Sequence, residues 1–121
     1  MPQIILEEFI VTHKLAFIGF GTVGQGLAEI LRDKGDTLRR GLGFDGQIVA
    51  VSDLIKGAVY HPDGLEVAKL LEVTQNTGKL DHYPDSPGLE RGWDSFKTIR
   101  QSNADSVVEV SYTNIKTGQP A

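Results

Sequence analysis

The stretch Leu-Ala-Phe-Ile-Gly-Phe-Gly-Thr-Val-Gly, residues 15–24, decides the fold. It opens with four apolar residues, and a continuous apolar run is typical of a β-strand that is covered on both faces of a sheet. The next six residues have the pattern G-x-G-x-x-G. After them, apolar residues recur at helical spacing over residues 23–31 and predict an amphipathic helix that ends near Gly35. A strand, a glycine turn and a helix therefore follow one another directly.

Two further runs rich in Val and Ile, residues 47–52 and 106–111, predict strands parallel to the first, which we place at residues 14–18. The intervening segments are long enough for crossover helices, and two short ones are expected near residues 65–72 and 94–101. Residues 75–92 are rich in turn-forming residues and predict an irregular segment. The fold class is therefore α/β, a Rossmann-like parallel sheet with flanking helices, truncated after the third recognisable strand.

Each glycine of the G-x-G-x-x-G pattern has its own physical task. Gly19 permits a tight turn after the strand, Gly21 lets the backbone approach a pyrophosphate, and Gly24 lets the helix pack closely on the sheet. The amides of Thr22 and Val23 lie at the helix N-terminus, where unpaired N–H groups and the helix dipole favour an anion. The sequence thus predicts a dinucleotide site. The alternative is that the glycines only form a tight strand-to-helix turn.

An acidic residue, Asp53, ends the second strand and is predicted to accept hydrogen bonds from the adenosine ribose. It follows Gly24 by 53 − 24 = 29 residues. The usual spacing is about 20 residues, so the first crossover is longer than usual. A carboxylate repels a ribose 2′-phosphate, and Leu54 and Ile55 offer no guanidinium to bind one. Lys56 is the nearby cation, although a solvated lysine is the simpler interpretation. We therefore predict NAD(H), with NADP(H) less favoured.

Composition excludes several classes of function. The 121 residues suffice for one domain, and the absence of cysteine excludes disulfides, thiolate metal sites and cysteine nucleophiles, which favours a reducing, cytoplasmic location. The formal net charge of −4 argues against a nucleic-acid partner. The apolar run at residues 15–18 is far too short to cross a membrane. Three histidines, at positions 13, 61 and 82, share no ligand spacing, so no metal site is predicted.

Residues 14–121 resemble the N-terminal, nucleotide-binding part of homoserine dehydrogenases, and residues 1–13 are then an N-terminal extension. Six segments carry the resemblance. They are Phe-Ile-Gly-Phe-Gly-Thr-Val-Gly at 17–24, Val-Ser-Asp at 51–53, Lys-Gly-Ala-Val-Tyr at 56–60, Asn-Thr-Gly-Lys-Leu at 76–80, Val-Val-Glu-Val-Ser at 107–111 and Asn-Ile-Lys-Thr-Gly at 114–118.

The resemblance implies an oxidoreductase that interconverts L-homoserine and L-aspartate 4-semialdehyde with a nicotinamide cofactor, toward threonine and methionine. It places the pyrophosphate at residues 20–23, the adenosine ribose at Asp53, and the nicotinamide ribose near Ser111 and Thr113, which could equally be ordinary strand-end hydroxyls. Leu54 stands where relatives that prefer NADP tend to have a basic residue. The predicted cofactor-binding residues are Gly19, Phe20, Gly21, Thr22, Val23, Gly24, Asp53, Ser111 and Thr113.

In this family the catalytic lysine and the acidic residues that bind substrate follow the region that corresponds to residues 14–121. We therefore predict no catalytic residue in this chain, and a small-molecule substrate only for a full-length parent. The alternative is a stand-alone NAD(H)-binding regulatory or sensing module without catalysis. The third predicted strand leaves an apolar sheet edge unpaired, through which the chain could associate with itself.

Overall fold

The centre of the fold is a strand with a parallel neighbour on each side. The computed structural model describes residues 11–110 and the backbone of residues 113–114 and 119–120. Strand β1 (Val11–Ile18) lies between β2 (Phe44–Asp53) and β5 (Ser106–Glu109), and both pairings are parallel. The three predicted parallel strands are thus confirmed. The carboxyl ends of β1, β2 and β5 meet at one edge, where α/β sheets bind ligands.

Two short strands extend the sheet on one side with antiparallel pairing. Strand β3 (Gly57–Tyr60) pairs with β2, and β4 (Glu90–Arg91) pairs with β3, which gives the order β4-β3-β2-β1-β5. Neither strand follows from the sequence pattern, because both are shorter than the runs that reveal a strand by periodicity. A separate antiparallel pair is formed by β6 (Thr113–Asn114) and β7 (Gln119–Pro120).

Four α-helices and one 3₁₀ turn lie between these strands in the part of the chain that the structure describes. The helices are α1 (Thr22–Asp33), α2 (Gly35–Leu42), α3 (Val67–Thr77) and α4 (Ser95–Gln101), and the 3₁₀ turn is Leu80–His82. The predicted helices at 65–72 and 94–101 are present, and the segment predicted as irregular contains the end of α3, the 3₁₀ turn and β4. Within the described residues, no helix is long and apolar enough to cross a membrane.

The start of β1 differs from the predicted boundary. The strand begins at Val11 instead of residue 14, and residues 11–13 of the predicted extension pair with residues 44–46 of β2. The polar side chains of Thr12, His13 and Lys14 interrupt the apolar pattern, so the sequence pattern does not reveal this part of the strand. His13, for example, lies beside Ser106 of β5, with 2.7 Å between the imidazole Nε2 and the hydroxyl Oγ. The remainder of the predicted extension lies outside the described residues.

Helix α1 packs on the sheet through small residues. Its buried residues are Gly24 and Ala28, whereas Val23 and Ile30, which belong to the apolar pattern that predicts the helix, are 63% and 52% exposed. Leu27 and Leu31 contact the core cluster that contains Phe17, Val51 and Leu70. The apolar pattern misplaces the buried face because it gives weight to large side chains, whereas close approach of a helix requires small ones.

The two glycines inside α1 give a matched test of this packing. A Cβ at Gly24 would lie 2.9 Å from the Gly19 carbonyl oxygen and 3.3 Å from Val110 Cγ2, whereas a Cβ at Gly26 meets nothing within 4 Å. Both substitutions to alanine gain helix propensity. We expect Gly26→Ala to stabilise the chain by about 0.5–1 kcal/mol, and Gly24→Ala to destabilise it by about 1–3 kcal/mol. Urea unfolding measures both values, and equal effects of the two substitutions would contradict the close helix–sheet contact.

Candidate functional site

The glycine turn joins β1 to α1 at the carboxyl edge of the sheet. Gly19 has a φ of 96°, in the left-handed region that favours glycine, and its amide donates to the Ser52 carbonyl at 2.8 Å. Gly24 is required by the close packing described above. Gly21, in contrast, has a φ of −83°, and a Cβ there would point into open space. A left-handed φ explains Gly19 and close packing explains Gly24, whereas Gly21, the N-cap of α1, is required by neither.

The start of α1 presents backbone N–H groups beside this open space. The amide of Gln25 donates to the Gly21 carbonyl at 2.9 Å and closes the first turn, so the amides of Thr22 and Val23 precede the first intrahelical donor. No side chain caps this end of the helix, and both residues are exposed. An anion placed here would accept these N–H groups and lie at the positive end of the helix dipole.

Phe20 contributes to the turn through its backbone instead of its side chain. The ring is completely buried and packs edge-on against Phe17, with 6.3 Å between ring centroids. The amide of Phe20 donates to Asp53 Oδ2 at 2.8 Å, and the Phe20 carbonyl accepts from the side-chain amide of Gln25 at 3.0 Å. Phe20 thus anchors the glycine turn to the core and to the end of β2.

Asp53 lies at the tip of β2, as predicted, and its carboxylate accepts three backbone amides from two turns. Oδ2 accepts from Phe20 N, and Oδ1 accepts from the amides of Ile55 and Lys56, both at 2.9 Å. Each carboxylate oxygen has two lone pairs. Two amides occupy both lone pairs of Oδ1, while Oδ2 keeps one lone pair for a further donor.

The three amides also set the ionisation of Asp53. Partial burial raises the pKa of the carboxyl, but the hydrogen bonds from the amides of Lys56, Phe20 and Ile55, together with the charge of Lys56, act in the opposite direction and prevail. The net effect is a pKa below the ordinary value for an aspartate. The side chain is therefore a carboxylate at neutral pH, and this charged form is the one that holds the two turns together.

A cavity of about 730 Å³ opens beside Asp53, between the ends of β1 and β2 and the start of α4. Its lining includes Gly19, Asp53, Leu54, Phe96 and Glu109. Leu54 and Phe96, which are 82% and 71% exposed, present apolar side chains to the cavity and form part of its wall. This size and this combination of apolar walls with a few polar groups are typical of small-molecule sites.

The α4 side of the cavity is held by an aromatic stack. Trp93 stacks on Tyr60 with 4.5 Å between ring centroids, Lys97 Nζ lies 5.0 Å from the Trp93 ring, and Ser52 Oγ donates to the Trp93 carbonyl at 2.8 Å. Asp94 caps α4 by accepting from Lys97 N at 2.8 Å. This stack therefore supports the start of α4.

The structure brings together most of the predicted site. Gly19, Phe20 and Asp53 are directly connected, and residues 21–24 continue from them into α1. Ser111 lies outside the described residues. Thr113 lies in β6, where only its backbone is described. Sequence reasoning missed the wall formed by Phe96 and Ile99, whose only signal was an apolar pair at helical spacing.

The described side chains contain no group of three or more potential metal ligands. Glu109 lies at the exposed end of β5, on the cavity rim. The groups present at this edge are backbone amides that donate hydrogen bonds, carboxylates that accept them, with Asp53 nearest the glycine turn, and apolar side chains.

The lowered pKa of Asp53 predicts a pH dependence of stability. A carboxyl with a lowered pKa in the folded state stabilises the fold above the ordinary aspartate pKa of about 3.9, and this contribution is lost as the pH falls through the folded value. We expect the free energy of unfolding to fall less between neutral pH and about pH 3 in Asp53→Asn than in the wild type. Asp63→Asn is the matched control, because it makes the same replacement at an exposed position away from the two turns. Urea unfolding at several pH values measures the slopes, and identical slopes for Asp53→Asn and the wild type would contradict the prediction.

Comparison with known proteins places the chain among dehydrogenases. The family model "Glutamate/Leucine/Phenylalanine/Valine dehydrogenase" matches residues 5–113. A homoserine dehydrogenase of Methanocaldococcus jannaschii is 38% identical over 107 residues, which is 88% of this chain and 30% of the relative. An NAD(+)-dependent homoserine dehydrogenase of Pseudomonas canavaninivorans is 32% identical over 111 residues, which is 90% of this chain and 30% of the relative.

A solved structure agrees in fold. A hyperthermophilic archaeal homoserine dehydrogenase mutant in complex with NADPH has a TM-score of 0.67 and 23% identity, over 84% of this chain and 30% of that one. The present chain thus spans about 30% of the length of the curated relatives it matches. The predicted resemblance to homoserine dehydrogenases is confirmed. The chain belongs to the Glutamate/Leucine/Phenylalanine/Valine dehydrogenase family, as a nucleotide-binding part of a dehydrogenase.

Proposed function

We propose that this chain is the nicotinamide-dinucleotide-binding part of a homoserine dehydrogenase. The observation that carries the proposal is Gly21, which has open space at its Cβ position beside the uncapped amides of Thr22 and Val23. Gly26 also has open space at its Cβ position, but it lies inside α1, whereas the space at Gly21 lies beside amides that have no partner within the helix. The diphosphate of a dinucleotide has the charge and the oxygen acceptors that the two amides favour.

The adenosine half is proposed to lie on the Asp53 side of the turn. A ribose hydroxyl can donate to the free lone pair of Asp53 Oδ2, and the apolar wall that contains Leu54 and Phe96 offers contact for an adenine ring. The short distance between the glycine turn and Asp53, fixed by the 2.8 Å hydrogen bond from Phe20, supports one ligand that spans both. Ser111 and Thr113 remain proposed contacts of the nicotinamide ribose.

The proposed activity of a full-length parent is the interconversion of L-homoserine and L-aspartate 4-semialdehyde, in threonine and methionine biosynthesis. The nicotinamide cofactor supplies or accepts the hydride. The residues of this chain bind and orient it, with backbone amides holding the diphosphate and Asp53 fixing the adenosine end. Hydride transfer also needs a substrate held against the nicotinamide and a proton donor or acceptor. We propose that residues outside this chain provide both, so that the chain alone binds cofactor without turnover.

The binding test uses Gly21→Val. The new side chain would fill the space proposed for the diphosphate, and we expect NADH affinity to fall by about 100-fold or more. The fold should lose no more than about 1 kcal/mol, the scale of a less favoured N-cap residue, because a Cβ at this position meets no protein atom within 4 Å. Fluorescence titration with NADH gives the affinities, and Gly26→Ala is the control on the same helix. Normal NADH binding by Gly21→Val would place the ligand elsewhere.

We further propose NAD(H) as the preferred cofactor, because the Asp53 carboxylate would repel a 2′-phosphate and Leu54 provides no charge to bind one. Wild-type chain titrated with NADH and NADPH under identical salt should bind NADH at least about 10-fold more tightly. Leu54 is an exposed side chain on the cavity wall. The substitution Leu54→Arg should improve NADPH binding and so reduce the difference between the NADH and NADPH affinities. Tighter binding of NADPH than of NADH by the wild type would reverse the assignment.

A further inference from the structure

The turn between β2 and β3, residues 54–56, is held from two opposite sides. On one side, the Asp53 carboxylate accepts the amides of Ile55 and Lys56. On the other side, the segment that follows α3 provides two donors. Lys79 Nζ donates to the Ile55 carbonyl and Leu80 N donates to the Lys56 carbonyl, both at 2.8 Å. The turn is therefore fixed between the site carboxylate and a distant part of the chain.

Lys79 is itself placed by the end of α3. Gly78 ends this helix in the left-handed conformation, with a φ of 73°, and its amide donates to the Thr74 carbonyl at 2.9 Å. The amide of Lys79 then donates to Thr77 Oγ1 at 3.1 Å. With its backbone fixed in this way, the lysine reaches the Ile55 carbonyl in a charge-assisted hydrogen bond, which is stronger than a bond between neutral groups.

These contacts form a continuous path from Lys79 to the glycine turn. Lys79 Nζ binds the Ile55 carbonyl, Ile55 N binds Asp53 Oδ1, and Asp53 Oδ2 binds Phe20 N. The turn also carries Leu54 and Ile55, whose side chains are 82% and 76% exposed and line the cavity. The position of this turn therefore sets both the direction of the Asp53 carboxylate and the place of the apolar wall.

We propose that Lys79 is a positioning residue for dinucleotide binding, which acts through the Ile55 carbonyl and does not contact the ligand. The inference rests on the proposed function, because it assigns Lys79 a part in that same site. The exposure of the Lys79 side chain supports this role, since its removal leaves the buried core unchanged. Loss of the hydrogen bond frees the Ile55 peptide on one side, so that the carboxylate and the wall are less well ordered for adenosine.

The test compares three variants of the full chain with NADH as the probe. Lys79→Met retains most of the side-chain length without the donor, and we expect affinity to fall by about 3- to 10-fold, the scale of one hydrogen bond. Lys79→Arg keeps a charged donor and should restore affinity to within about two-fold of the wild type. Lys69→Met removes the same charge from the exposed surface of α3, where Lys69 pairs with Glu66 at 3.5 Å, and should leave affinity unchanged.

Amide hydrogen exchange in the ligand-free chain gives a second readout. In Lys79→Met the amides of Ile55 and Lys56 should exchange faster than in the wild type, with an unchanged melting temperature. Unchanged NADH affinity in Lys79→Met would overturn the inference, and so would an equal loss in Lys69→Met. Weaker binding without faster exchange would indicate direct ligand contact and would overturn it too. Failure of the wild type to bind any dinucleotide would instead overturn the proposed function, and this inference with it.

Discussion

The hydrogen bonds of the Asp53 carboxylate are the interaction on which the candidate site depends. They connect the turn after β1, through Phe20, to the turn after β2, through Ile55 and Lys56. The two parallel strands alone would align their carboxyl ends but would not fix the loops that leave them. A carboxylate whose pKa is lowered by these amides stays charged at neutral pH, and one ionised group therefore orders both halves of the cavity edge.

Much of the fold could be predicted because its signals are local. The apolar run before Gly19 and the two Val- and Ile-rich runs indicate buried parallel strands. Asp53 is recognisable because it directly follows the run at residues 47–52. The roles of Gly19 and Gly24 also follow from the pattern, since a left-handed φ and a close helix contact are found at these positions. Gly21 differs from them, because neither its φ nor the packing around it requires glycine, and its predicted role depends on a ligand.

The remaining features depend on contacts between distant residues, which a local pattern does not contain. The short strands β3 and β4 are stabilised by pairing with β2 and with one another. The position of Asp53 in the sequence does not predict which amides bind its carboxylate. Nor does the sequence predict the hydrogen bond from Lys79 Nζ to the Ile55 carbonyl, which joins residues 24 positions apart. Helix α1 buries Ala28 and exposes Ile30 because tight packing on the sheet selects small residues over large apolar ones.

The central claim is that the glycine turn and the tip of β2 form one binding site for a single dinucleotide. A ¹⁵N-resolved NMR titration of the full chain with NADH tests it most directly. The account predicts that the amide signals of Thr22 and Val23 and those of Leu54 and Ile55 shift together and give one dissociation constant, while those of α2 stay in place. Shifts confined to other parts of the chain, or different dissociation constants for the two turns, would contradict it.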